Sequence, residues 1–201
     1  AREYEGTLGQ FSREMIEVKL LGRKEIKLGV NVRLTLAQAV PRGAKMETIV
    51  QMCSELGVAE SIPMITERTV VKADGDKLAN KISRWRRVAG ESAKQCGRRD
   101  VLEIKDAVDF GDALIRTKNA ELVLIPFEKE QDISLKNALG TNRTAKNVAV
   151  YIGPEGGFAE REIKQAVEAN AKPVSLGKRI LRTQTAGIIA CAMILYEYGD
   201  L

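Results

Sequence analysis

Two stretches near the C-terminus carry residues that could do chemistry. Tyr151-Ile152-Gly153-Pro154-Glu155-Gly156-Gly157-Phe158 combines three glycines with a proline and one carboxylate. Leu176-Gly177-Lys178-Arg179-Ile180-Leu181-Arg182-Thr183-Gln184-Thr185-Ala186 sets arginines around an apolar pair and follows them with three hydrogen-bonding side chains. Glycine lets backbone amides approach a ligand closely and adopt positive φ, and Pro154 stiffens the first turn. A helix opening near Ala159 aims unpaired N–H groups at that turn. Phosphate is one ligand for such a turn. A Gly-Lys-Ser/Thr ending and Gly-x-Gly-x-x-Gly spacing are both missing, so a nucleoside read by backbone groups fits as well. In the second stretch, Ile180 and Leu181 can cover the faces of an adenine while their backbone groups bind its edge. Arg179 or Arg182 can hold a phosphate or a substrate base. Thr183 reads as the N-cap of the final helix. A plain strand-to-helix connection would explain the first turn alone, but it has no need of the arginine arrangement in the second.

These turns require strands before them and helices behind. Apolar runs at 101–104, 121–125, 148–152 and 173–176 alternate with helical patterns at 110–116, 133–139, 159–170 and 183–196. Such alternation predicts an α/β fold with a mostly parallel sheet covered on both faces. Ligands bind beyond the carboxyl ends of strands in such sheets, which groups the strand ends at Ile125, Ile152 and Leu176. Upstream, Met46, Ile49, Val50, Cys53 and Leu56 have helical spacing, and Gly57 sits where a left-handed cap belongs. A strand is expected at 61–66, a turn at Asp74-Gly75 and a helix over 77–95. That helix has Leu78, Ile82, Trp85 and Ala89 on one face. Its other face carries Lys81, Arg84, Arg87 and Lys94, and the basic run continues into Arg98-Arg99. This is either a solvated surface or a phosphate-contacting stripe. Residues 1–38 show partial period-two alternation at Met15, Ile16, Val18, Leu20, Val30, Val32, Leu34 and Leu36, punctuated by Gly6, Gly9, Gly22 and Gly29. They read as a few strands too short to close a core alone, and Pro41-Arg42-Gly43 marks the boundary after them.

The bulk numbers narrow the classes. At 201 residues and 44% apolar, the chain can bury a sizeable core. A net charge of +5 favours a polyanionic partner. There is no histidine, which removes histidine-based triads, bases and metal ligands. Cys53, Cys96 and Cys191 are odd in number and far apart, so neither a disulfide framework nor a zinc cluster is expected. The most apolar stretch, 186–196, is too short to cross a bilayer. A cytoplasmic protein without membrane or metal is the expectation.

The run Ile-Gly-Pro-Glu-Gly-Gly-Phe at 152–158, joined to Leu-Gly-x-Arg-Ile-Leu-Arg-Thr-x-Thr-Ala at 176–186, resembles the signature of the ribosomal RNA small-subunit methyltransferase E family. That family belongs to the SPOUT class of S-adenosylmethionine-dependent enzymes. Lys45-Met46-Glu47, Glu55-Leu56-Gly57-Val58, Thr66-Glu67-Arg68 and the stretch 91–95 with Gly97-Arg98 are similar to the same family, so the likeness runs from about residue 38 to the end. The resemblance implies a C-terminal trefoil knot in about residues 120–195 within a SPOUT domain at 41–201. A remnant of a PUA-like RNA-binding β barrel is implied at 1–40. It also implies a homodimer, S-adenosylmethionine as cofactor, and methylation of uracil N3 of one uridine in 16S rRNA of the assembled small subunit.

Carried over by matching positions, Leu124, Ile125, Pro126 and Phe127 form one wall of the cofactor pocket. Ile152, Gly153 and Gly157 form a second, and Leu176, Ile180, Leu181 and Thr183 a third. Arg182, in the Leu-Arg-Thr motif, is the candidate stabiliser of the uracil anion. Glu155 is the candidate base, or else it holds its turn by accepting backbone hydrogen bonds. Arg68, Arg84, Arg87, Arg98, Arg99 and Arg179 are the expected RNA contacts. Three departures from the family pattern stand out. Only the later barrel strands are expected, beginning near Arg2-Glu3-Tyr4. Gln184 replaces the usual glutamate between two threonines. Ala159 replaces a frequent serine, a lost cap of roughly 1 kcal/mol that Glu160 and Glu162 partly offset through the helix dipole. Two other readings stay open: a non-catalytic RNA-binding or ribosome-assembly protein retaining the fold, and a nucleotide-phosphate-binding enzyme. The final helix, apolar at Ile188, Ile189, Met193, Ile194 and Leu195, suits a core position or a dimer interface equally.

Overall fold

The computed structural model describes residues 3–24, 31–70 and 75–201; Arg2, Gly29, Val30 and Asp74, named above, lie outside them. The chain divides into two compact units, Ala1–Val30 and Asn31–Leu201. In the first, strands β1 (Glu3–Phe11) and β2 (Ile16–Lys24) pair antiparallel, with register shifts at Glu5/Gly6 and Leu8/Phe11. The Ser12 hydroxyl accepts from the amides of Glu14 and Met15 and shapes the turn between them.

The second unit is a parallel sheet with helices on both faces. Its elements run β3 (Arg33–Ala39), α1 (Lys45–Leu56), β4 (Glu60–Ile65), α2 (Gly75–Gln95), β5 (Glu103–Ile104), β6 (Val108–Asp109) and α3 (Phe110–Thr117). They continue with β7 (Leu122–Pro126), α4 (Leu135–Gly140), β8 (Asn147–Ile152), α5 (Glu160–Glu168), β9 (Ala171–Val174) and α6 (Thr183–Glu197). The strand order is β5-β4-β3-β8-β7-β9, with β6 pairing β4, and every pairing is parallel. Strand parity sorts the core. Leu34, Leu36, Leu122, Leu124, Val148, Val150 and Ile152 face the layer holding α1, α2 and α6. Ala37, Ala39, Val123, Ile125, Ala149 and Tyr151 face α3 and α5. This two-sided burial is why the strands read as continuous apolar runs rather than alternating ones.

The sheet corrects one expectation. The boundary falls between residues 30 and 31 rather than at 40, because β3 is a central strand held between β4 and β8. Leu34 and Leu36, grouped above with the N-terminal strands, are fully buried there. Period-two alternation cannot distinguish a strand of a small separate sheet from the first strand of the next unit. Pro41-Arg42-Gly43 is therefore an internal connection from β3 to α1. The helix readings hold: Gly57 caps α1 with φ 102°, and Ile82, Trp85 and Ala89 of α2 are buried. In α6, Ile194 and Leu195 enter the core, whereas Ile189, Met193 and Tyr196 are exposed.

Candidate functional site

Between β3 and β8 the sequence order of the parallel strands switches from one side of the sheet to the other, the kind of place where open α/β sheets bind ligands. Beyond the carboxyl ends of β7, β8 and β9 lies a cavity of about 620 Å³, within the range typical of small-molecule sites. Its lining draws on all three strand ends and both glycine turns, with Pro126, Phe127, Ile152, Gly153, Gly157, Leu176, Ile180, Leu181 and Thr183 among the residues that form it. Glu155, Arg179 and Arg182 line it as well. Leu124 and Ile125 do not: both are fully buried in the sheet, on opposite faces, one turn of the pleat too early to reach the cavity.

Each wall is fixed by named contacts. In the first turn the Gly157 amide donates to the Pro154 carbonyl, and Arg68 Nη1 donates to the Gly156 carbonyl at 2.9 Å. Gly157 has φ 67°, and a Cβ there would lie 3.3 Å from a carboxylate oxygen of Glu128, so the turn is shaped for glycine. In the second turn Gly177 has φ 118° and its amide donates to Ser175 Oγ. The wall at the end of β7 is tied to β9 where the Phe127 amide donates to the Val174 carbonyl. Thr183 is not the N-cap of α6; Arg182 holds that position without a side-chain cap. The Thr183 hydroxyl donates instead to the Gly153 carbonyl at 2.6 Å and accepts from Gln38 Nε2 at 3.0 Å, joining the two turns. At α5 the lost cap is partly replaced as expected from its acidic first turn, and by a direct bond. Buried Glu162 accepts from the Ala159 amide with one oxygen and from the Glu67 amide with the other.

The charged groups have distinct settings. The lining holds four cations (Lys45, Lys178, Arg179, Arg182) and two carboxylates (Glu128, Glu155), a balance that favours an anion. Glu155 accepts from Lys45 Nζ at 2.7 Å and from the Arg42 amide at 3.2 Å. Burial alone would raise its pKa, but the Lys45 hydrogen bond and the backbone donors outweigh this and hold it below the ordinary value. That makes it a turn-holding group and a weak base. Tyr151 is pushed up to about 12 by burial, against the opposing hydrogen bond with Thr117, so its phenol stays neutral near pH 7. Because the folded-state pKa of Glu155 is depressed, its contribution to stability is present at neutral pH and fades as pH falls through that value. Glu155→Gln should therefore lower the unfolding free energy, measured by urea titration, by less than about 1 kcal/mol at neutral pH. The difference should shrink as pH falls below the ordinary carboxylate range; a difference independent of pH would contradict the assignment.

The expected RNA contacts separate. Arg84 pairs with Glu47 at 3.2 Å yet stays exposed, and Arg87 and Arg99 are exposed. Arg98 departs from the stripe: its guanidinium forks onto Asp100 at 2.9 and 2.8 Å and donates to the Ser54 carbonyl, leaving its side chain 10% exposed. The Arg98 hydrogen bond, partly opposed by burial, holds the Asp100 carboxyl below its ordinary value. Arg98 thus fastens the end of α2 to α1. Sequence reasoning missed Lys45, Glu128, Ser175 and Gln38. Glu128 was signalled by its place directly after the third strand end, and Gln38 as the one amide in an apolar strand. Among the described residues no cluster of three metal-ligating side chains is present, and no helix is long and apolar enough to cross a membrane.

Comparison with known proteins places this geometry. Residues 29–195 match the RNA methyltransferase domain family. The ribosomal RNA small subunit methyltransferase E of Bacillus subtilis is 33% identical over 170 residues, covering 83% of this chain and 66% of the relative. That of Mesomycoplasma hyopneumoniae is 35% identical over 175 residues, covering 87% of this chain and 72% of the relative. The chain thus spans about two thirds of the length of these relatives. Among solved structures, the Neisseria gonorrhoeae ribosomal RNA small subunit methyltransferase E bound to S-adenosyl methionine superimposes with a TM-score of 0.84 at 28% identity, covering 97% of this chain and 78% of that one.

Proposed function

Since the chain belongs to the ribosomal RNA small subunit methyltransferase E family, we propose that it transfers the methyl group of S-adenosylmethionine to uracil N3 of one uridine in 16S rRNA within the small subunit. The observation that carries this reading is the cavity of about 620 Å³ built from three strand ends and two glycine turns. Its residues fit the cofactor: Gly157 leaves space beside Glu128 that a Cβ would fill, and Ile180 and Leu181 offer apolar cover for an adenine. Bound there, S-adenosylmethionine supplies a methyl group already electrophilic enough for direct transfer.

The protein's own part is alignment and charge. The N3 proton of uracil must leave for efficient attack. With no histidine in the chain, Tyr151 neutral and Glu155 held by Lys45, stabilising the uracil anion is the more effective course. We assign this to Arg182, whose exposed guanidinium lines the cavity. Glu155 keeps its turn in shape. Arg68 acts at the same turn through the Gly156 carbonyl. Arg84, Arg87, Arg99 and Arg179 remain the RNA contacts, on exposed surface.

The family resemblance further supports a trefoil knot in the C-terminal half, a PUA-like origin for the β1–β2 hairpin, a homodimer and a cytoplasmic setting. The exposed apolar side chains Ile189, Met193 and Tyr196 on α6 suit a dimer contact. Incubation with labelled S-adenosylmethionine and small subunits lacking the modification, followed by mapping of the modified base, tests the reading. Label at N3 of a single uridine supports it. Label on ribose or on another base atom overturns the specificity, and cofactor binding without any transfer overturns the enzyme assignment.

A further inference from the structure

The fully buried Gln38, on β3, is polar in an otherwise apolar layer. It stands opposite Ile152 in the β3–β8 ladder, next to the first glycine turn. Its Nε2 lies 3.0 Å from the Ala39 carbonyl and 3.0 Å from Thr183 Oγ1. A carbonyl oxygen can only accept, so the amide end facing Ala39 is the NH2, and its second hydrogen goes to Thr183. With Thr183 Oγ1 accepting, the single hydroxyl proton of Thr183 is directed to the Gly153 carbonyl, 2.6 Å away. The result is a hydrogen-bond chain of fixed polarity from β3, through the start of α6, to the first turn. The other end of the amide, Oε1, is buried and without a hydrogen-bond partner among the described residues. It lies against Gly187, where a Cβ would come within 2.6 Å of it. A buried oxygen left unpaired is unfavourable, and a hydrophobe of similar size would fill the space without it. The amide is therefore explained by its donor end.

We propose that Gln38 is a positioning residue for the cofactor: by donating to Thr183 it directs the Thr183 proton onto the Gly153 carbonyl and so clamps the two glycine turns together. This rests on reading the cavity as the S-adenosylmethionine site. Gln38 reaches neither substrate nor cofactor and acts through Thr183.

The test compares Gln38→Glu and Gln38→Met with wild type at matched pH, by calorimetric titration with S-adenosylmethionine. A protonated carboxyl at position 38 has one hydrogen for two acceptors, the Ala39 carbonyl and Thr183 Oγ1, so it restores the donation to Thr183 in part. An ionised one only accepts, and draws the Thr183 proton away from Gly153. Burial raises the pKa of the introduced carboxyl, so the variant should bind within about threefold of wild type at about pH 5.5 and about tenfold more weakly at about pH 8.5. Gln38→Met removes the donor, so the Thr183 proton is no longer directed to Gly153 and affinity should fall by about three- to fivefold at both pH values. Amide hydrogen exchange over residues 153–158 in the ligand-free protein should accelerate, relative to wild type, for Gln38→Met at both pH values and for Gln38→Glu chiefly at the higher pH. A pH-independent affinity ratio for Gln38→Glu, or wild-type affinity and exchange for Gln38→Met, would overturn the proposal. If wild type binds no S-adenosylmethionine, the functional reading fails while exchange still decides whether the clamp exists. Should Gln38→Glu not fold, Thr183→Ser should preserve affinity and exchange whereas Thr183→Val should lose both; identical behaviour of the two overturns the clamp.

Discussion

Arg182→Ala is expected to slow methyl transfer by roughly 10²–10³-fold, the scale seen when one preorganised donor to a developing anion is removed. Affinity for S-adenosylmethionine should change by less than about threefold, because the cavity walls remain. Thermal stability should not fall, and this part separates a chemical role from a structural one. Arg182 is the N-cap of α6, makes no cap hydrogen bond and enters no ion pair among the described residues. A cation at a helix N-terminus opposes the helix dipole, so the residue is unfavourably placed for folding. Removing it relieves that opposition. Arg182→Lys should recover part of the rate, since charge returns without the planar fork. Single-turnover rates with saturating cofactor, alongside calorimetric affinity, check the prediction. A loss of cofactor binding equal to the loss of rate would instead make Arg182 a cofactor ligand.

Gly187→Ala should destabilise the protein although it replaces glycine by alanine inside a helix. Propensity alone predicts a gain of about 1 kcal/mol. Against it, the new Cβ would sit 2.6 Å from Gln38 Oε1. The end of a flexible side chain can ordinarily move away. Gln38 is fully buried, and its Nε2 is committed to Ala39 and Thr183, so relief requires breaking those bonds or shifting α6. Overpacking of this kind costs about 1–3 kcal/mol, enough to lower the melting temperature by several degrees. In a Gln38→Ala background the clash disappears, and the same substitution should be neutral or stabilising. Four melting temperatures complete the comparison; a stabilised Gly187→Ala in the wild-type background would show that the amide can yield.

What could be read from the sequence and what could not divides on physical grounds. The helices and the strands at β4, β7, β8 and β9 were legible because two-sided burial writes itself as short apolar runs between helical periods. The cavity was legible because glycine turns at strand ends are local features: three strand ends were expected together and three line it. The assignment of β3 was not legible, because its neighbours are distant in sequence and its alternation matches that of the preceding hairpin. Leu124 and Ile125 entered the expected wall because the resemblance carries over the whole strand end at 124–127, and a matched stretch does not separate residues inside the sheet from those just beyond it. Thr183 looked like a cap because threonine before an apolar helix usually is one. Its actual partner, Gln38, is 145 residues away, and local pattern cannot report such a contact. Arg98 looked solvent-directed for the same reason, its acceptor at Ser54 lying on another helix.

The place of β3 bears on the order in which the chain can assemble. Its ladder with β8 begins at Arg33 opposite Asn147, so the middle of the sheet cannot close until well over half the chain is available. Local pieces, such as α1 with β4 or α3 after β6, can form early at little loop-closure cost. The β3–β8 seam must wait for a long-range encounter, and topologies rich in such encounters fold slowly. During synthesis β3 leaves the ribosome with one face-to-edge partner, β4, while its other edge stays open until β8 appears. The backbone N–H and C=O groups along that edge wait unpaired for that interval. Refolding of this protein should therefore be slow and sensitive to concentration, with the seam between β3 and β8 as its last step to acquire protection from exchange.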